Sequence, residues 1–155
     1  MDDKDLQILS ILQGDARTSN AEIGRRLGMA ASAVLERIRK LEHRGVIRGY
    51  HARLDPEALG AGLLAFVYVQ VDDRKSEQST GELLAQLPQV QEVHHIAGED
   101  CYFVKLRCAS TGELGRLLQQ EFGAFTSIGR TRTTIALGTL KETQTLPVPG
   151  AGKEA

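Results

Sequence analysis

Residues 31–44 read Ala31-Ser32-Ala33-Val34-Leu35-Glu36-Arg37-Ile38-Arg39-Lys40-Leu41-Glu42-His43-Arg44. Val34, Ile38 and Leu41 fall at i, i+4 and i+7, a single apolar stripe on a helix. At about 100° per residue the opposite side carries Ser32, Glu36, Arg39, Lys40 and His43, with Arg37 and Arg44 flanking it. A three-helix unit needs no basic stripe in order to fold. A helix with one buried side and one basic side has the form of a recognition helix for a major groove.

Working outward, Gly45 stops this helix, and Gly28 ends a shorter one that runs through Ile23 and Leu27. Ser19 stands three residues before Glu22, the spacing of a capping box. Residues 3–13 form a first helix on Leu6, Ile8, Leu9, Ile11 and Leu12, stopped at Gly14-Asp15. Beyond Gly45, Val46-Ile47 and Tyr50 through Leu54 read as short strands, a β wing. Residues 1–60 are thus a winged helix-turn-helix domain, with the helix-turn-helix at about 19–44.

The second half changes period. Residues 63–71 are β-branched and aromatic, with Leu64, Phe66, Tyr68 and Gln70 on one side and smaller apolar residues on the other. A helix over Ser76–Leu87 ends at Pro88. Strands follow at Val90–Ala97 and Cys101–Cys108, joined by the turn Gly98-Glu99-Asp100. Ser110 or Thr111 caps a helix to Phe122, and Arg130–Leu140 is the last strand. The order βαββαβ over 61–142 is the ferredoxin-like unit, so the fold class is α+β. Its helices cover one sheet face; the other is apolar and calls for a second copy, a homodimer. Residues 143–155 lack periodicity and read as a flexible tail.

The chain has 155 residues, 19 Lys plus Arg and 20 Asp plus Glu, a net charge of −1. That average argues against a nucleic-acid partner until it is divided. Residues 25–53 hold eight basic and two acidic residues, an electrostatic footprint for a polyanion. No run approaches the roughly 18 apolar residues of a membrane span. The acidic start, Met1-Asp2-Asp3-Lys4-Asp5, is unlike a signal peptide. Two Cys point to a reducing compartment rather than a disulfide scaffold. Seven residues apart on one strand, Cys101 and Cys108 face opposite ways, as do the adjacent His94 and His95, so no metal site is expected. No P-loop, nucleophile elbow, dinucleotide fingerprint or H-E-x-x-H occurs, so no catalytic residues are assigned and the chain reads as a non-enzyme without a cofactor.

Four segments then carry a family signature: Asp5-Leu6-Gln7-Ile8-Leu9, Asp15-Ala16-Arg17-Thr18-Ser19, Glu36 through Glu42, and Gly45-Val46-Ile47-Arg48-Gly49-Tyr50. With Leu54-Asp55-Pro56, Gly60, the Gly98–Tyr102 turn, Thr131 through Leu137 and Lys141, the set resembles the Lrp/AsnC family of prokaryotic transcription regulators. The resemblance covers residues 2 to about 142. It implies a cytoplasmic, nucleoid-associated DNA-binding regulator. It further implies dimers that assemble further, commonly to octamers, and an amino-acid effector bound between dimers. The implied effector residues are Gly98, Glu99, Asp100, Cys101 and Tyr102, with hydroxyls from Thr131 and Thr133. The chain departs from the family at Met29-Ala30, where Leu-Ser is usual and Ser32 is placed to cap instead. It departs again at Cys101, where many members have Asp. A thiol cannot pair with an ammonium group; Asp100 or Glu99 can. The alternative to effector control is a ligand-independent architectural DNA binder.

On the DNA side, Arg37, Arg39, Lys40 and Arg44 suit phosphate contacts, Ser32, Glu36 and Arg39 suit base reading, and His43 belongs to the same DNA-binding side. Glu36 can accept from a cytosine amino group or simply pair with Lys40 at i, i+4. Thr18 and Ser19 stand at a helix N-terminus, where they can serve a phosphate or only the cap.

Overall fold

The computed structural model describes residues 1–72 and 79–149. The chain divides into two compact units, Met1–Arg53 with Lys141–Ala155, and Leu54–Leu140.

In the first unit the helices are α1 (Asp3–Gly14), α2 (Asn20–Leu27) and α3 (Ala31–His43). Asp2 caps α1: its side chain accepts from the Asp5 N–H, and Asp5 returns a bond to the Asp2 N–H. That reciprocal box satisfies two of the orphan donors at the helix start. Ser19 caps α2 through the Glu22 N–H alone. The expected return bond is missing because the Glu22 carboxylate is held by Arg25 and Arg26. Gly28, at φ 65°, closes α2 in the left-handed conformation. One turn earlier a Cβ on Gly24 would stand 2.5 Å from the Met29 carbonyl oxygen, so the tight α2–α3 turn requires glycine there. Ile8, Ile23, Val34 and Ile38 form the core, with Leu12, Leu27, Met29 and Ile47 packed against it.

Two expectations for this unit need correction. Ser32 does not cap α3. The helix starts at Ala31 behind Ala30, whose side chain makes no cap bond. The wing strands are also absent among the described residues: 46–54 carry no ladder. The N–H groups of Val46 and Ile47 both return to the Leu41 carbonyl at the end of α3. The segment therefore spends its donors on the helix terminus, and Val46, Tyr50 and Leu54 stay exposed. Gln13 also joins the C-terminal segment to this unit. Its side chain accepts from the Leu146 N–H at 2.8 Å and donates to the Leu146 carbonyl at 3.1 Å.

The second unit is a four-stranded antiparallel sheet of β1 (Leu63–Val71), β2 (Val90–His95), β3 (Tyr102–Cys108) and β4 (Ile128–Ile135), in the order β2-β3-β1-β4. That is the ferredoxin-like order. Helices α4 (Thr80–Leu84) and α5 (Thr111–Arg116) cover one face, burying Leu84 and Leu114 against Ala65, Val67, Val69, Tyr102, Val104 and Leu106. The helix expected over Ser76–Leu87 is observed only as α4; residues 76–78 lie outside the described residues. The helix expected to reach Phe122 does so with changing pitch, through a π turn at Leu117–Glu121 and a 3-10 turn at Phe122–Ala124. The last strand stops at Ile135 rather than Leu140: its register with β1 ends at the Ala65–Ile135 pair, followed by a single bond from the Ala136 N–H to the Leu64 carbonyl. Leu137 and Leu140 are consequently fully exposed.

Candidate nucleic-acid interface and effector site

Of the eight basic residues in 25–53, four hold carboxylates: Arg25 and Arg26 on Glu22, Lys40 on Glu36, and Arg37 on Asp2 and Asp5. The sequence alone left the Lys40–Glu36 pair open, and it missed the other three. Arg37 Nη1 reaches Asp2 Oδ2 at 2.8 Å and Asp5 Oδ1 at 2.7 Å, so it ties the middle of α3 to the start of α1. The signal for it was Asp2 and Asp5 at cap spacing. Asp5, and then Asp2, raise the Arg37 pKa. This cation therefore ties two helices of the head together.

Lys40 bonds Glu36 at 2.7 Å, with both side chains 68% exposed. The intrahelical pair is thus formed, and it lowers the Glu36 pKa. At that exposure solvent screens the pair, so it holds the two side chains only weakly. Arg39, His43 and Arg44 are exposed, with no ion pair among the described residues. Ser32 is exposed in the first turn of α3. Ser19 caps α2, and Thr18 Oγ1 donates to the Asp15 carbonyl at 2.8 Å, so both hydroxyls are committed locally. The exposed side of α3 therefore presents Ser32, Glu36, Arg39, Lys40 and His43 together, with Arg44 beside them. Beyond the helix, Tyr50 donates to Glu42 at 3.0 Å; partial desolvation of the hydroxyl on this otherwise exposed ring, with that carboxylate, pushes it up to about 12.

The effector candidates fall in one neighbourhood but differ in availability. Gly98, at φ 137°, and Glu99 sit exposed in the bend between β2 and β3. Asp100 is bound to Arg132 at 3.3 Å, and the Arg132 guanidinium lies 4.0 Å over the Tyr68 ring. The Cys101 N–H donates to the Val69 carbonyl, and Val69 pairs with Thr131, so the bend and β4 flank the same residue of β1. Across β1 they are separated by two strand spacings, about 10 Å. Thr131 is exposed and Thr133, opposite Val67, is half-buried. Tyr102 is core: it is 7% exposed, packs on Gly81, and its hydroxyl lies 3.2 Å from that of Ser79. Cys101 precedes β3 and packs against the same core as Cys108, so the expected opposition of the two fails. Both thiols are free. His94 and His95 do diverge, toward Phe103 and Tyr102 respectively.

The uncovered sheet face holds a cluster whose extent the sequence did not show. Phe66 stacks on Phe103 at 5.5 Å, Tyr68 meets Phe103 edge-on at 5.0 Å, and Arg132 caps Tyr68. No group of His, Cys, Asp and Glu able to hold a metal occurs among the described residues. No helix among them is long and apolar enough to cross a membrane.

Residues 1–42 match the model of the AsnC-type helix-turn-helix domain, and residues 64–146 match that of the Lrp/AsnC ligand binding domain. The HTH-type transcriptional regulator FL11 of Pyrococcus horikoshii is 38% identical, covering 96% of this chain and 97% of its own. The leucine-responsive regulatory protein of Escherichia coli is 31% identical, covering 96% and 92%. Among solved structures, a feast or famine regulatory protein from M. tuberculosis, complexed with L-methionine, superposes with a TM-score of 0.88 at 36% identity over 96% of this chain and 99% of that one. AsnC of E. coli gives 0.86 at 27% identity, over 95% and 99%. A basic recognition helix on a three-helix head, a ferredoxin-like second unit and these relatives agree: the chain belongs to the Lrp/AsnC family of transcriptional regulators.

Proposed function

We propose that this regulator binds double-stranded DNA through the exposed side of α3, and that an amino acid bound near the 98–101 bend modulates it. The observation that carries the DNA reading is the unpaired trio Arg39, His43 and Arg44 beside Glu36 and Lys40 on one exposed helix side. Arg39, Lys40 and Arg44 supply phosphate contacts, with Ser32, Glu36 and Arg39 reading base edges. Thr18 and Ser19 place the N-terminus of α2 near a phosphate. The proposed domains remain 1–60, 61–142 and a tail from 143. Two copies join by the aromatic sheet face of Phe66, Tyr68 and Phe103, with dimers assembling further, in a cytoplasmic setting and without catalysis.

For the effector, backbone N–H groups of the Gly98 bend take the carboxylate, and Glu99 or Asp100 takes the ammonium, with Thr131 and Thr133 beside them. The L-methionine complex of the similar M. tuberculosis protein supports this. One observation favours a second reading, a ligand-independent architectural DNA binder: Asp100 is already engaged by Arg132, and Cys101 offers no charge. A thermal-shift screen against the twenty amino acids decides. A ligand of the native state raises stability by about 2.7 kcal/mol at a hundredfold excess over Kd. A shift with one or a few amino acids is expected; no shift with any overturns the effector reading. DNA binding independent of salt overturns the first.

A further inference from the structure

Ala31, Leu35 and Arg39 stand at i, i+4 and i+8 on α3, one continuous ridge, and all three are exposed. Leu35 is the large apolar residue on that exposed side, 36% accessible, while its neighbour Val34 is wholly buried. Nothing in the head's core calls on it: the cluster of Ile8, Ile23, Val34 and Ile38 closes without it, as do the residues packed against that cluster. The two residues that follow it are charged and engaged elsewhere. Glu36 is turned to Lys40, and Arg37 to Asp2 and Asp5. The side chains of this ridge left without a partner are thus two apolar ones toward the N-terminal end and one guanidinium a turn further on.

A recognition helix enters the major groove with its N-terminal residues against base edges. There thymine alone offers an apolar group, its C5 methyl, and guanine offers two acceptors to a guanidinium. We propose that Leu35, assisted by Ala31, is a specificity-determining residue that reads a thymine methyl one helical turn away from the base read by Arg39. The inference rests on the reading of α3 as the DNA-binding helix and adds to it a particular atom on the DNA. A second copy of the chain lying on Leu35 is the competing occupant, and the test separates it.

The full-length protein is used to select binding duplexes from a random pool. Each thymine of the selected site is then replaced singly by deoxyuridine, which lacks only the methyl. At one thymine in each half-site this exchange weakens wild-type binding about fourfold, the value of one buried methyl-sized group. In Leu35→Ala the same exchange has no further effect, while the salt slope and the assembly size stay those of the wild type. Equal ratios for every thymine in the wild type and in Leu35→Ala overturn the proposal, as does a changed assembly size in Leu35→Ala. If those outcomes come with an intact selected sequence, α3 still reads DNA. If selection returns no preferred sequence, both readings fall. The deoxyuridine series alters only the DNA, so it stands even where the protein variant folds poorly.

Discussion

Arg37 Nη1 lies 2.7 Å from Asp5 Oδ1, joining the recognition helix to the N-terminal cap of α1 across 32 residues of sequence. The same nitrogen also holds both oxygens of Asp2. A residue of the basic block is therefore part of what fixes α3 on the head. Arg37→Ala is expected to lower the melting temperature of the protein while leaving the salt slope of DNA binding unchanged. A lost unit of slope with an unchanged melting temperature would instead make Arg37 a phosphate ligand. The pH dependence carries a definite sign. The Asp5 backbone N–H, and then Arg37, hold the Asp2 carboxyl below its ordinary 3.8. The stability this contributes is present above that value and lost as pH falls through the lowered one. Acid melts should show Arg37→Ala losing less stability than the wild type over that interval.

Lys40 and Glu36 are expected to separate in their effects on DNA. Lys40→Ala should weaken binding to all sequences and reduce the salt slope by about one unit. Glu36→Gln removes a charge that repels phosphate and releases Lys40, so non-specific affinity should rise. Its sequence preference should change if Glu36 also reads a base. Titrations at several salt concentrations on selected and scrambled duplexes check both.

Gly81 faces the Tyr102 ring so closely that a Cβ there would stand 2.5 Å from Cε1. The ring has little freedom to retreat, being 7% exposed and held at its hydroxyl by Ser79. Gly81→Ala should therefore destabilise the second unit by about 1–3 kcal/mol through overpacking. Urea unfolding of the full chain measures this, and truncating the ring with Tyr102→Leu in the same chain should recover part of the loss.

Tyr50 gives a spectroscopic reading of the chain beyond α3. Partial desolvation of its hydroxyl, then the bond to Glu42, raises its pKa from 10.0 to about 12. The raised value means the contact stabilises fully below about pH 10 and is lost as pH rises through about 12. The tyrosinate absorbance that disappears in Tyr50→Phe should titrate near the upper figure. In Glu42→Gln it should move down. An unchanged titration in that variant would leave desolvation as the only cause.

Much of this molecule is set by local pattern. The i, i+4, i+7 stripe of Val34, Ile38 and Leu41 makes α3 and buries its inner side, because side-chain direction in a helix is fixed by position alone. The period-two run 63–71 makes β1 in the same way, and the sequence places Arg39, Lys40 and His43 on one exposed side. What each charged group then does was decided by residues far along the chain. Arg37 finds Asp2 and Asp5, Asp100 finds Arg132, and Gln13 finds Leu146 across 133 residues. The wing was lost for the same reason: its β-branched residues favour extended chain, but a strand needs a partner, and Val46 and Ile47 gave their N–H groups to Leu41. Periodicity assigns a side chain to a face, since that is geometry within one element. Only packing brings a second element within hydrogen-bond reach, and so only the tertiary structure separates the cations that hold the head together from those left without an ion pair.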